Sequence, residues 1–291
     1  MALWKVMVDG VARLARGPAV EGPSELLPPE LTLDGILGAE DAAAQLAEAL
    51  AARVAGSVPV GTPVLAPLDR QEVWAAGVTY PRSRDARMHE SQAPDAYDRV
   101  YEAARPELFF KAAPGRAVGP GARVGVRADS GWDVPEPELA LVADRSGQIV
   151  AYSIGNDVSS RSIEGENTLY LPQAKVFRGS CAVGPCLVPT EEAPPVDAMR
   201  ITLEVTRDGS SVYTDEVHVA TMTRTPEELI RWLYLAQDFP YGAVLLTGTA
   251  IVPEDDFTLR PGDDVRIAIT GLGELRNGVE QVGAAPPPRS A

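Results

Sequence analysis

The chain has 291 residues, 45% of them hydrophobic, with 26 Lys and Arg against 41 Asp and Glu and a formal net charge of −15. That length supports a full core, as one large domain or a small one beside a larger one, and the acidic balance argues against a nucleic-acid surface, which needs a basic face. No apolar run approaches the ~20 residues that span a bilayer, and the opening Met1-Ala2-Leu3-Trp4-Lys5-Val6 lacks the apolar core of a signal peptide; no membrane partner and a cytoplasmic location are expected.

In chain order, 3–8 reads as a strand that turns at Asp9-Gly10 into a returning strand over 11–15. A proline-rich stretch follows, then a helix over 41–54 with Asp41 as N-cap and Leu46, Leu50 and Val54 at four-residue spacing. Residues 1–65 thus read as a small N-terminal unit, 66–283 as the larger domain and 284–291 as a flexible tail. The larger domain opens on a buried strand, W-A-A-G-V-T-Y, followed by a polar stretch over 83–91 where a lid would sit. Beyond residue 177 come strands over 201–207 and 212–219 about a turn at Asp208-Gly209. Next is a helix to about 238, capped by Thr225 with Pro226 at its first position, and then a buried strand ending in L-L-T-G-T. Cys181 and Cys186 are not spaced as C-x-x-C and read as reduced structural thiols.

Chemistry concentrates between Asp133 and Phe177. Glu136 and Glu138 stand two apart on an apparent strand, so their carboxylates share a face. A hairpin returning through 149–154 brings Asp157, just past its end, close to both. Three carboxylates on one patch repel unless neutralised, and a hard divalent cation with oxygen ligands does this: Mg²⁺, Mn²⁺ or Ca²⁺. A lone E-x-E is more often a solvated strand face. Against that stand Pro135 and Pro137, which fix the backbone around the pair, and the polar set Arg161, Glu164, Glu166, Gln173 and Lys175 among apolar neighbours. Earlier, R-P-E-L-F-F-K-A places Glu107 beside apolar residues, as either a salt-bridged structural acid or an acid–base group whose pKa burial raises; Phe109 and Phe110 read as core.

The stretches P-E-P-E-L-A-L-V, G-N-D-V-S-S-R-S-I-E-G-E-N-T-L-Y-L-P-Q-A-K and L-L-T-G-T resemble the fumarylacetoacetate hydrolase superfamily, and within it the branch of 2-keto-3-deoxy-D-arabinonate dehydratases. The resemblance covers roughly 73–253; Ser162 departs from it, since an acidic residue usually follows the arginine. It implies an α+β fold, a mixed-β roll catalytic domain with a small N-terminal α/β domain, assembled as a homodimer or homotetramer. It also implies metal-dependent dehydration of a small anionic 2-keto acid, a 2-keto-3-deoxy pentonate. Glu136, Glu138 and Asp157 would hold the metal. Lys175 and Glu107 would form the acid–base pair, with Lys175 alternatively a cation for the substrate carboxylate or a Schiff-base former. Arg161, Thr249, Ser83 and Glu164 would contact substrate. The hydrolases and decarboxylases on the same metal site form the competing branch; the hydrolases carry a water-activating histidine in a Y-x-x-H arrangement. Here Ser83 occupies that position after Tyr80, which leaves His89 as the one substitute, since His218 sits in an alternating strand and reads as a surface residue.

Overall fold

The computed structural model describes residues 1–90 and 94–284, so the expected tail lies outside the described residues from 285 onward. In chain order the elements are β1 (Ala2–Val8), β2 (Val11–Gly17), β3 (Glu25–Leu26), α1 (Leu33–Leu37), α2 (Ala42–Ala51), β4 (Gly56–Ser57), β5 (Glu72–Gly77), α3 (Pro81–Glu90), α4 (Pro94–Glu102), β6 (Glu107–Ala112), β7 (Arg123–Arg127), β8 (Asp133–Val134) and β9 (Pro137–Ala143). They continue as β10 (Ile149–Asp157), β11 (Ser159–Ser160), α5 (Arg161–Glu166), α6 (Leu171–Lys175), β12 (Cys181–Pro189), β13 (Arg200–Arg207), β14 (Ser210–His218), α7 (Pro226–Leu233), β15 (Ala243–Leu246), β16 (Asp264–Ile269) and β17 (Gly273–Val282). The fold is α+β and dominated by mixed sheets.

Among the described residues, a ten-stranded sheet runs β4-β3-β2-β1-β12-β10-β9-β15-β5-β6, and a five-stranded sheet runs β14-β13-β16-β17-β7. The β15–β5 and β17–β7 pairs are parallel. Strand β9 lies near the middle of the larger sheet and is buried along its whole length. Its side chains alternate between two cores. Leu139, Leu141 and Ala143 join a core with Leu203, Val205 and Ile267 of the smaller sheet, while Ala140 and Val142 join another with Leu33, Ile36 and Leu46 of α1 and α2. Burial on both faces explains why this segment is a continuous apolar run rather than an alternating one.

The N-terminal strands enter the same ladder, with β1 pairing β12 at Leu3↔Leu187. Asp9 (φ 50°) and Gly10 (φ 78°) make the tight β1–β2 turn, and Asp208 (φ 51°) and Gly209 (φ 78°) repeat it between β13 and β14, as the twist of a two-residue hairpin requires. Both predicted N-caps are present: Asp41 accepts from Ala44 N at 2.9 Å and Thr225 from Glu228 N at 3.1 Å. Both helices end earlier than periodicity predicts. Helix α2 stops at Ala51, beyond which Val54 is exposed and finds no core to join. Helix α7 stops at Leu233 because Tyr234 turns aside, its hydroxyl donating to Asp144 O at 2.8 Å and its ring packing on Phe239 at 4.8 Å.

Candidate active site and metal centre

The antiparallel β9–β10 ladder sets the carboxylates. Gly155 faces Glu138, Asn156 faces Pro137, and Asp157 N donates to Glu136 O at 2.9 Å. Asp157 is therefore the last residue of β10 rather than a residue beyond it. Asn156 Oδ1 accepts from Glu136 N at 3.1 Å. Glu136, Glu138 and Asp157 each offer an oxygen within 4.8 Å of the others. They are 3%, 1% and 1% exposed, which rules out a solvated strand face.

Burying like charges together is costly unless they are compensated, and three cations converge on the cluster. Lys175, at the C-terminal end of α6, donates to Glu136 Oε2 at 2.8 Å, Asp157 Oδ2 at 3.2 Å and Ser159 Oγ at 2.6 Å. Arg161 Nη2 lies 2.9 Å from Glu136 Oε1. Lys111, fully buried, pairs with Asp157 Oδ1 and donates to the carbonyls of Val158 at 3.0 Å and Lys175 at 2.6 Å. Glu138 Oε2 accepts from the backbone N–H of Gly248 at 2.6 Å. Burial first, and then the charges of Asp157 and Glu136, push the Glu138 carboxyl well above the usual carboxylate range, against the opposing pull of Lys175 and the Gly248 N–H.

The donor set fits a hard divalent ion. All three groups offer carboxylate oxygens, the donor type that such an ion takes.

A small cavity opens beside these groups. Of the residues expected at the site, Glu107, Ser83, Glu164, Lys175 and Thr249 line it together with Glu136 and Asp157. Ser160 caps α5 through Ile163 N at 3.4 Å, and the short helix it starts carries the buried Glu164. Ser83 Oγ donates to Tyr80 O at 2.9 Å and accepts from Tyr80 N, which closes the turn that leads into α3. Arg161 departs from expectation: it lies behind Glu136, not on the cavity wall, because its guanidinium is turned onto that carboxylate. Phe109 also differs. It is no plain core residue but part of the wall, its ring centroid 5.5 Å from Lys175 Nζ. His89 is exposed and 3.3 Å from Asp255, away from the cavity wall, and His218 is exposed beside Arg200. At Ser162, where an acid was expected, three hydroxyls meet instead: Ser130 Oγ lies 2.9 Å from Ser162 Oγ and 2.8 Å from Ser160 Oγ.

Two groups at this site escaped sequence reasoning. Lys111 had a signal, since a lysine inside F-F-K-A needs a buried partner. The Gly248 N–H had none, because a backbone donor leaves no trace in residue type.

The family model described as "Fumarylacetoacetate (FAA) hydrolase C-terminal" matches residues 72–280, which span every group named above. A "Probable 2-keto-3-deoxyxylonate dehydratase" of Haloferax volcanii is 51% identical over 216 residues, 74% of each chain. A "2-dehydro-3-deoxy-D-arabinonate dehydratase" of Saccharolobus solfataricus is 44% identical over 213 residues, 72% of each chain. Among solved structures, "2-keto-3-deoxy-D-arabinonate dehydratase complexed with magnesium and 2,5-dioxopentanoate" superposes with a TM-score of 0.82 at 33% identity, covering 97% of this chain and 99% of that one.

Proposed function

The chain belongs to the fumarylacetoacetate hydrolase family, and we propose from that premise that it is a Mg²⁺-dependent hydro-lyase that dehydrates a 2-keto-3-deoxy pentonate, such as 2-dehydro-3-deoxy-D-arabinonate, to 2,5-dioxopentanoate. The observation that carries this reading is a buried carboxylate triad with Lys175 against it, inside a region 44–51% identical to two sugar-acid dehydratases.

Glu136, Glu138 and Asp157 would hold the magnesium ion, which supplies Lewis-acid polarisation of the substrate's 2-keto group and carboxylate. The chain's own groups handle the protons. Lys175 Nζ and the Glu107 carboxylate share one cavity, so one takes a proton from C3 while the other donates to the departing C4 hydroxyl. The C3–H and C4–O bonds break and water leaves, giving a 5-hydroxy-2-oxo-3-enoate; a proton then passes from C5 to C3, and the C4–C5 enol so formed tautomerises, its hydroxyl proton moving to C4, to the 2,5-dioxo product. Lys111 and Ser159 hold Lys175 in place from its carbonyl and its ammonium group respectively. Ser83, Glu164 and Thr249 line the space left for the sugar-acid chain, while Arg161 acts through Glu136.

The site and its relatives support a small anionic 2-keto acid as substrate. No helix among the described residues is long and apolar enough to cross a membrane; a cytoplasmic homodimer or homotetramer remains part of the proposal. The position of His89, exposed beside Asp255, speaks against hydrolytic water activation at this cavity. The test is a metal-stripped assay on 2-keto-3-deoxy-D-arabinonate with Mg²⁺ added back and products followed by NMR. Metal-dependent appearance of 2,5-dioxopentanoate is expected. No reaction there, with pyruvate released from an acylpyruvate or oxaloacetate, would move the protein to the hydrolase–decarboxylase branch.

A further inference from the structure

Gly77 is the last residue of β5, and it lies directly across the β5–β6 ladder from Glu107. A Cβ placed on Gly77 would lie 2.6 Å from Glu107 Cδ and 3.3 Å from its Cγ, and would meet Oε2 closer still. These are the nearest atoms it would touch, and all belong to one side chain. The Glu107 carboxylate therefore occupies the volume that any other residue at 77 would fill with its own side chain. Both residues face the cavity that holds Lys175, Glu136 and Asp157. The backbone of Gly77 is not in the left-handed region reserved for glycine, unlike that of Gly248 at φ 88°. Conformational freedom thus does not explain glycine at position 77; the seat of the carboxylate does.

We propose that Gly77 is a positioning residue: its missing side chain forms the slot that lays the Glu107 carboxylate across the end of β5 and into the cavity. The inference rests on the acid–base role given to Glu107 above. The slot works through shape alone. Glu107 leaves β6 pointing at its cross-strand partner, and cross-strand Cβ atoms at such a pair lie only about 4.5–5.5 Å apart. With a side chain on residue 77, the glutamate must rotate away along the strand and withdraw from the reacting atoms. With glycine there, the carboxylate passes over the backbone of β5 and stays within the cavity. Because the obstructed atoms are the far end of a flexible side chain, G77A costs the fold little while displacing one of the two proton-handling groups the reaction needs.

The experiment compares wild type, G77A, E107Q and the double variant on 2-keto-3-deoxy-D-arabinonate at saturating Mg²⁺. Mg²⁺ affinity is measured by calorimetry, Tm by thermal unfolding, and the position of residue 107 from the crystal structure of Mg²⁺-loaded G77A. The expected result for G77A is kcat down by ~100-fold, as displacement of a reacting group by an ångström produces, with KM, Mg²⁺ affinity and Tm close to wild type. The double variant should be no slower than E107Q, because both changes remove the same function. The crystal structure should show the carboxylate withdrawn from the cavity. Wild-type kcat in G77A with the carboxylate unmoved would overturn the proposal, as would a Tm loss above ~10 °C, which marks a packing residue. If E107Q keeps wild-type kcat, the acid–base role of Glu107 fails; the carboxylate position in G77A then decides the slot by itself.

Discussion

Both sheets carry ion pairs, in opposite surroundings. On the five-stranded sheet, Arg276 Nε lies 2.6 Å from Asp264 Oδ1 and Arg266 Nε 2.6 Å from Glu274 Oε2, with 63% and 46% of the two arginine side chains exposed. At the end of β9 and β10, Lys111, Lys175 and Arg161 pair with Glu136 and Asp157 at 0–4% exposure. The separations are alike, so distance does not rank the pairs. Water solvates each surface charge whether or not its partner is present, and such pairs contribute about 0–1 kcal/mol. In the buried cluster bulk water cannot take a partner's place, and losing one charge strands the other. The surface pairs are therefore dispensable, whereas the buried charges depend on one another.

The largest break in this comparison is E138Q. Removing one carboxylate of the triad should lower turnover by ~10³-fold or more, equivalent to about 4 kcal/mol of transition-state stabilisation, and abolish the rise in Tm that Mg²⁺ produces in wild type. The fold should survive, since the amide oxygen introduced by the substitution can still accept from Gly248 N; far-UV circular dichroism checks this. Next in size is K111M, which removes one of the two ammonium groups on Asp157 and leaves two buried carbonyls without their Lys111 donor. Urea unfolding of the metal-free protein should show a loss of about 3–5 kcal/mol. An unchanged midpoint would remove Lys111 from the network.

Asp133 sharpens the contrast as a buried acid beside the site. Burial, partly offset by the Ser130 hydroxyl, pushes its carboxyl up to about 6 from an ordinary value of 3.8. The folded state thus binds this proton more tightly than the unfolded chain does. Stability from this group is full below pH 4, falls as pH rises from about 4 to 6, and stays reduced above. D133N, which does not titrate, should gain on wild type across that window and be more stable at pH 7.5 by on the order of 1–2 kcal/mol, allowing for partial solvent screening. Equal pH profiles for the two proteins would contradict the assignment. The smallest effect belongs to R276A on the exposed sheet, where stability should change by less than about 1 kcal/mol and turnover not at all.

Residue chemistry and strand alternation by themselves determined the carboxylate triad. E-x-E is a local pattern, and a hairpin of this length leaves few other places for Asp157. The same holds for the caps at Asp41 and Thr225 and for the two D-G turns, which depend on contacts within four residues. Helix ends were not legible: α2 stops at Ala51, where the core it packs on stops, and α7 at Leu233, where Tyr234 turns onto Asp144 O and Phe239. Nor was the side to which Arg161 turns, since a guanidinium reaches either the cavity or Glu136 from the same backbone position. Tertiary structure alone decided the partners that cross large gaps in the chain. Lys111 meets Asp157, 46 residues on, and the Gly248 N–H meets Glu138, 110 residues back. Glu107 meets the empty side of Gly77 across a strand pair. Each of these contacts depends on sheet register, and register is set by the packing of whole strands rather than by the residues that finally touch.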